Sequence, residues 1–370
     1  MRVGIVGWFG SDNLGDEILL HSLMECVRAA AGQVTFVVFS PNPDRVAELH
    51  SVDTAAMPTL RGEGLAQRTK KTMSLMSECD LLICGPGTVF QERSPNLAWP
   101  GTLSLFTRIL GMAKLAGTPV AAVGVGVREG ATAFGRSTLR TFGAASIAIG
   151  ARDLRSAQHF GAKARVIGDM AYAVPLPEVA RPDGPPRFAV SMRPLAPQIQ
   201  DALVAKLAEC ARDFGQDGWT GDFLAMAYGR GAHGEDDREI YAEAFRQTLG
   251  LAANPLDRPG DFRAGLDDWL RRLGGYRLVL ATRLHAALMA VSLGIPTVAI
   301  AYERKVHDAF VDIGLEKFVL PPECAAAEMR AAALLAASSE QVFDDARVRI
   351  AEQGRVARAF VASMIGGLAR

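Results

Sequence analysis

Arg283 and His285 stand one residue apart at the start of the run RLHAALMAVSLG, whose apolar spacing is helical and which follows the strand-like LVLA. A guanidinium and an imidazole in the first turn of a helix that follows a strand sit at the edge of an open α/β sheet where ligands collect, and the turn's free N–H groups and dipole favour anions. Such a pair could hold an anion and deliver a proton, imidazole being the side chain suited to acid–base work near neutral pH. Tyr302 and Lys305 leave the next strand at the same edge. A second set lies in the turn WFGSDNLGDE, which puts Asn13, Asp16 and Glu17 between the first strand and its helix. Capping accounts for each alone, Asn13 as N-cap and the carboxylates against the dipole, but does not require the whole set. Arg152 and Arg193, each directly after a strand, are further cations.

A strand over 278–281, Thr282 as N-cap, a helix over 283–293, Gly294 as its stop and a strand over 297–301 form the half-unit that carries Arg283 and His285. Upstream, a strand over 2–7, the glycine-rich turn 8–15, a helix over 16–30 and a strand over 34–40 imply a right-handed parallel crossover. A strand over 80–84 runs into Gly85-Pro86-Gly87-Thr88, and the strand 146–151 delivers Arg152. The stretch 175–186, PLPEVARPDGPP, holds five prolines and reads as a linker. Beyond it a strand over 188–192 delivers Arg193, and a helix over 198–213, a strand over 222–227, a polar loop over 229–237 and a helix over 238–249 follow. Strand, charged or glycine-rich loop, helix is the repeat of a doubly wound sheet. The expected fold is α/β, an N-terminal domain over 1–174, a linker over 175–186, a C-terminal α/β domain over 187–324 and a helical tail over 325–370.

At 370 residues the chain exceeds the size of one comfortable core. Its 40 basic and 40 acidic residues cancel, leaving no basic stripe for nucleic acid. The five cysteines stand in no C-x-x-C or His-paired cluster, so buried thiols in a reducing, cytoplasmic compartment are expected. No apolar run reaches about 18 residues, so the chain should not span a membrane. His233 with Glu235, Asp236 and Asp237 reads as a solvated loop rather than a metal ligand set. The turn glycines Gly7, Gly10 and Gly15 fit neither a dinucleotide fingerprint nor a Walker loop.

Gly10-x-x-Asn13-x-Gly15-Asp16-Glu17, with Arg283-Leu284-His285-Ala286, Gly294-Ile295-Pro296 and Tyr302-x-x-Lys305 downstream, resembles the polysaccharide pyruvyl transferase family from about residue 3 to 310. Gly85-x-Gly87, Arg152-Asp153-x-x-Ser156 and Gly168-Asp169 are similar to it too. The resemblance implies two Rossmann-like lobes, glycosyltransferase-B-like, with an interdomain cleft. It also implies transfer of the pyruvyl group of phosphoenolpyruvate onto a sugar diol as a ketal; no cofactor is expected, and no metal, since arginines can neutralise the phosphate. The chain departs from the family in Pro86, where three consecutive glycines are usual, and in Met170 after Asp169 in place of proline.

That chemistry suits these residues. A donor with a carboxylate and a phosphate needs cations, and a guanidinium fork meets either group in bidentate fashion. Arg283, Arg152 and Lys305 are the candidate clamp, with Arg193 beside them, and Asn13, Gly85, Gly87, Thr88 and Tyr302 are further candidates for substrate contact. His285 is the candidate general acid; Asp16, Glu17, Asp169 and Asp236 are open as the base. The partners expected are a small-molecule donor and a sugar-like acceptor, with homo-oligomerisation left open. The competing readings are a two-lobed nucleotide-sugar glycosyltransferase and a family relative that uses the anion pocket for another small metabolite.

Overall fold

The computed structural model describes residues 1–57, 65–92, 101–128, 132–179, 184–229, 235–258 and 260–368. His233, residues 180–183 of the proline-rich stretch and residues 129 and 130 lie outside the described residues. The chain divides into two compact units, the first made of Met1–Gly10, Asp16–Val174 and Gln353–Arg370, the second of Ser11–Gly15 and Pro175–Glu352.

Among its described residues the first unit holds eight parallel strands: β1 (Arg2–Val6), β2 (Thr35–Ser40), β3 (Asp53–Ala56), β4 (Leu81–Cys84), β5 (Gly87–Phe90), β6 (Val120–Val127), β7 (Ala148–Ala151) and β8 (Ala164–Val166). They run in the order β3-β2-β1-β4-β6-β7-β8, with β5 paired to β6. β4 is apolar throughout, and β1 is apolar and buried after Arg2, because both faces are covered, as a parallel sheet between helices requires. A cluster of Phe90, Phe106, Phe142 and Phe160, with ring centroids about 5 Å from Phe90, fills one side.

Among its described residues the second unit holds six parallel strands: β9 (Arg187–Ser191), β10 (Thr220–Phe223), β11 (Gly250–Leu251), β12 (Leu278–Ala281), β13 (Thr297–Ile300) and β14 (Val319–Leu320). Their order is β11-β10-β9-β12-β13-β14, so the chain reverses its direction of travel between β9 and β12. Ligands of open α/β sheets bind outside the carboxyl ends of the strands at such a reversal, and Arg193 and Arg283 leave those two strands. In the first unit the reversal falls between β1 and β4, whose carboxyl ends carry the turn from Gly7 and the Gly85-Pro86-Gly87 loop.

Three expectations are corrected. Thr282 is not the N-cap of the helix after β12; Arg283 holds that place and the helix runs Leu284–Ser292. The Thr282 hydroxyl instead accepts the Arg193 N–H at 2.9 Å, tying the end of β12 to the end of β9. The helix expected over 238–249 is a single α-turn, Asp237–Ile240, widening into a π-helix, Tyr241–Phe245, which sets both Tyr241 and Phe245 against Phe223 at 5.7 and 5.4 Å. The strand expected over 222–227 leaves the sheet after Phe223, because the backbone beyond it pairs elsewhere.

All five cysteines are free and buried. Among the described residues no helix is long and apolar enough to cross a membrane, and no group of three or more His, Cys, Asp or Glu could hold a metal ion.

Candidate functional site

The site of the second unit starts from the segment after β10. Its backbone at Met226 and Tyr228 pairs with the short N-terminal segment: Leu14 N–H donates to Met226 O at 2.7 Å and Tyr228 N–H to Asp12 O at 3.0 Å, with Asn13 opposite Ala227. The N–H groups of Met226 and Ala227 both point to Asp237 Oδ2, at 2.9 and 3.2 Å. Asp237 is fully buried and receives the Arg283 guanidinium in bidentate fashion, Nε at 3.0 Å from Oδ2 and Nη2 on Oδ1. Burial pushes the Asp237 carboxyl above the usual carboxylate range, and the Arg283 guanidinium and the Met226 N–H pull against it.

The third nitrogen of Arg283, Nη1, lies 2.9 Å from Glu235 Oε2. Glu235 Oε1 takes Nη2 of Arg193, so this carboxylate bridges two guanidiniums with one oxygen on each. Arg193 is fixed further by Nη1 on the Tyr302 hydroxyl and by the Tyr302 ring, 4.8 Å below the guanidinium carbon. Lys305, in the first turn of the Arg304–Asp312 helix, pairs with Glu303 at 2.9 Å, and Glu303 also acts electrostatically on Arg193. Glu235 and Asp237 were expected to be solvated; they are the counter-anions of the cluster instead. Arg283 was expected in an anion clamp, and all three of its side-chain nitrogens have carboxylate partners here.

His285 sits one helical position beyond Leu284, partly buried, against Gly15. A β-carbon built on Gly15 would fall 2.2 Å from His285 Nδ1, far inside contact distance, so only glycine lets the imidazole lie on this backbone. Asn13 Oδ1 accepts the Gly15 N–H at 3.1 Å, the capping role open to it from the start, at the head of the Leu14–Ala31 helix.

The first unit holds the remaining candidates. Glu17 is fully buried and both its oxygens are used: Oε1 accepts the Gly10 N–H at 2.7 Å and Oε2 lies 2.8 Å from His50 Nε2. Gly10 itself has φ +74°, and a β-carbon there would meet Asn42 O at 2.5 Å, so the turn closes only with glycine. Arg152 follows β7, its Nη1 3.3 Å from the Thr88 hydroxyl and 4.0 Å from Asp169 Oδ2, its Nε 3.5 Å from Asp153 Oδ2. Asp153 caps the Leu154–Phe160 helix through the Ser156 N–H, and the Ser156 hydroxyl accepts the Val127 N–H at 3.0 Å. Gly85 and Gly87, both at positive φ, flank Pro86 just before Thr88. Asp169 caps Met170–Ala173 through the Ala171 N–H at 2.9 Å. Asp16 is partly buried in the first turn of its helix. Asp236, the other carboxylate left open as a base, belongs to the second unit, where the Arg238 side chain holds its carboxyl below the usual range.

A cavity of about 440 Å³ in the second unit, lined among others by Trp219, Tyr276, Arg277, Pro296 and Arg347, opens just ahead of β12 and β13. It lies at the amino ends of the strands, away from the carboxyl-end cluster of Arg193 and Arg283.

A search of curated proteins returns no match. In fold, the chain is similar to a Listeria monocytogenes protein assigned as a UDP-N-acetylglucosamine 2-epimerase, with a TM-score of 0.64 and 11% identity over 100% of this chain and 96% of that one. It is also similar to the UDP-GlcNAc 2-epimerase of Neisseria meningitidis bound to UDP-GlcNAc, at 0.60 and 10% over 100% and 99%. A third is the Anabaena HepE protein in complex with UDP and glucose, at 0.55 and 12% over 99% and 98%. At these identities the likeness establishes the glycosyltransferase-B type of two α/β units. The sequence model of the polysaccharide pyruvyl transferases matches residues 13–304, spanning both the Asn13-Leu14-Gly15-Asp16-Glu17 turn and the Arg283-Leu284-His285 turn, and the chain belongs to that family of transferases.

Proposed function

We propose that the protein transfers the pyruvyl group of phosphoenolpyruvate to two hydroxyls of a sugar or glycan precursor, forming a cyclic ketal and releasing phosphate. The observation that carries this reading is the pair of guanidiniums, Arg193 and Arg283, at the β9–β12 reversal with His285 in the same helical turn as Arg283. Arginines meet a carboxylate or phosphate with fixed geometry, and phosphoenolpyruvate has one of each.

In the reaction, His285 gives a proton to the methylene carbon of the enol. The neighbouring carbon becomes cationic and one acceptor hydroxyl adds to it. Attack by the second hydroxyl breaks the bond to phosphate, which leaves with its electron pair. Of the two hydroxyl protons, one returns to His285 by way of the base and the other goes to the departing phosphate, which leaves as hydrogen phosphate. A carboxylate is the base in this reading. Lys305, beside Glu303, is assigned to the phosphate.

Mixing the protein with phosphoenolpyruvate and sugar diols, and following phosphate release together with a mass gain of pyruvate less water on the acceptor, tests the proposal. Phosphate release without a ketal product would reduce it to hydrolysis, and no turnover of phosphoenolpyruvate with any diol would overturn it. The UDP complexes of the fold neighbours support a second reading, a nucleotide-sugar donor on the same seat. Titration with UDP alongside phosphoenolpyruvate separates the two.

A further inference from the structure

We propose that Glu235 occupies, with its own carboxylate, the seat of the donor's carboxylate, and so sets how much negative charge a ligand must bring to enter. The inference rests on the anionic donor of the preceding reading and names the residue that decides which anions qualify.

Glu235 places one oxygen on Arg193 Nη2 and the other on Arg283 Nη1, which is how a bound carboxylate would sit between two forks. The two arginines and the two acids Asp237 and Glu235 sum to zero charge, so an anion arriving beside them gains little. The acids are not equivalent. Asp237 is fully buried and anchored by two backbone N–H groups, whereas the Glu235 side chain is 35% exposed. Glu235 can therefore swing into solvent while Asp237 stays and keeps Arg283 aimed. With Glu235 gone the seat has a net charge of plus one and the shape of a carboxylate. Arg193 Nε, buried and without a hydrogen-bond partner among the described residues, adds a donor that the Glu235 carboxylate does not use.

A ligand that must displace an internal carboxylate binds with its intrinsic affinity reduced by the fraction of molecules in which the seat is open. A small monoanion competes poorly; a carboxylate carrying a second anionic group, fixed elsewhere on the protein, competes well. Glu235 thus sets a threshold of intrinsic affinity, which a carboxylate with a second anchored charge passes at concentrations where a small monoanion does not.

Calorimetric titration of wild type, Glu235→Gln and Glu235→Asp with phosphoenolpyruvate and with pyruvate tests this. The expected result is about tenfold tighter binding of both ligands to Glu235→Gln. The ratio of phosphoenolpyruvate to pyruvate affinity stays as in the wild type, because the same opening step precedes the binding of either ligand. Glu235→Asp, which keeps the charge but is too short to span both arginines, should lie between. If Glu235→Gln does not fold, a gain in Glu235→Asp supports the proposal and none overturns it. Equal or weaker binding of both ligands to the folded variants overturns it, whatever the wild type turns over. If wild type and variants ignore phosphoenolpyruvate but the variants gain pyruvate binding, the role of Glu235 holds and the pyruvyl-transfer reading falls.

Discussion

The imidazole of His285 lies directly on the backbone of Gly15, 270 residues earlier in the chain, so close that a β-carbon on Gly15 would stand 2.2 Å from Nδ1 and 2.9 Å from Cγ. The contact explains why the Asn13-Leu14-Gly15 turn and the Arg283-Leu284-His285 turn make sense only together: one is the floor on which the other's ring rests. Gly15→Ala must move the ring by about the depth of a methyl group, and misplacing a proton donor by about 1 Å costs on the order of 100-fold in rate. The expected outcome is a kcat lower by about 100-fold, with circular dichroism and phosphoenolpyruvate affinity near wild type. Wild-type turnover in Gly15→Ala would remove His285 from the proton transfer.

Asp237 and Arg283 form a buried bidentate pair whose carboxylate also accepts two backbone N–H groups. Removing one partner of such a pair leaves the other as an uncompensated buried charge, at about 3–5 kcal/mol. Asp237→Ala is therefore expected to lower unfolding free energy in urea by at least about 3 kcal/mol. The exposed pair Arg258–Asp268, 54% and 49% accessible, gives the internal control: Asp268→Ala should leave the unfolding midpoint close to that of the wild type. A cost at Asp237 no larger than at Asp268 would mean that Arg283 finds other partners.

His50 supports Glu17, a residue of the turn that follows β1. Its Nε2 meets Glu17 Oε2, and Glu17 Oε1 in turn holds the Gly10 N–H that opens the turn. His50→Ala leaves a fully buried carboxylate oxygen without this partner, at about 2–3 kcal/mol. His50→Gln, whose amide can donate to the same oxygen, should recover part of that loss. Equilibrium unfolding of the two variants decides; identical stability of His50→Ala and wild type would show that Glu17 does not need His50.

Much of this was legible from local pattern. β12 falls where the apolar run LVLA placed it, and Gly294, at φ +73°, ends the helix that carries His285. What local pattern missed depends on partners far away in sequence. Thr282 looks like an N-cap in its own stretch, but its hydroxyl is used by the Arg193 N–H, 89 residues earlier. Glu235 and Asp237 look like a solvated acidic loop, but Arg283, 46 residues beyond Asp237, draws the latter fully inside. The signal available in sequence was the imbalance itself: arginines required at a strand edge imply acids to neutralise them, and those acids can come from any loop that reaches the edge.

Cys26 gives a prediction about pH. Burial pushes its thiol up to about 11, from an ordinary value of 9.0, with Arg358 opposing and Glu25 assisting. Between those two values the unfolded chain has lost the thiol proton and the folded chain has kept it, so the folded state binds more protons and stability falls as pH rises. Below pH 9 the effect is absent. At pH 10 it amounts to about 1 kcal/mol for this one group. Urea unfolding at pH 8 and pH 10 should therefore show a decline that Cys26→Ala lessens by about that amount, after its own constant packing cost is subtracted. In the same range the native thiol should resist iodoacetamide while the unfolded chain is alkylated quickly, because the thiolate is the reacting form. An alkaline decline equally steep in Cys26→Ala would place its origin in other groups.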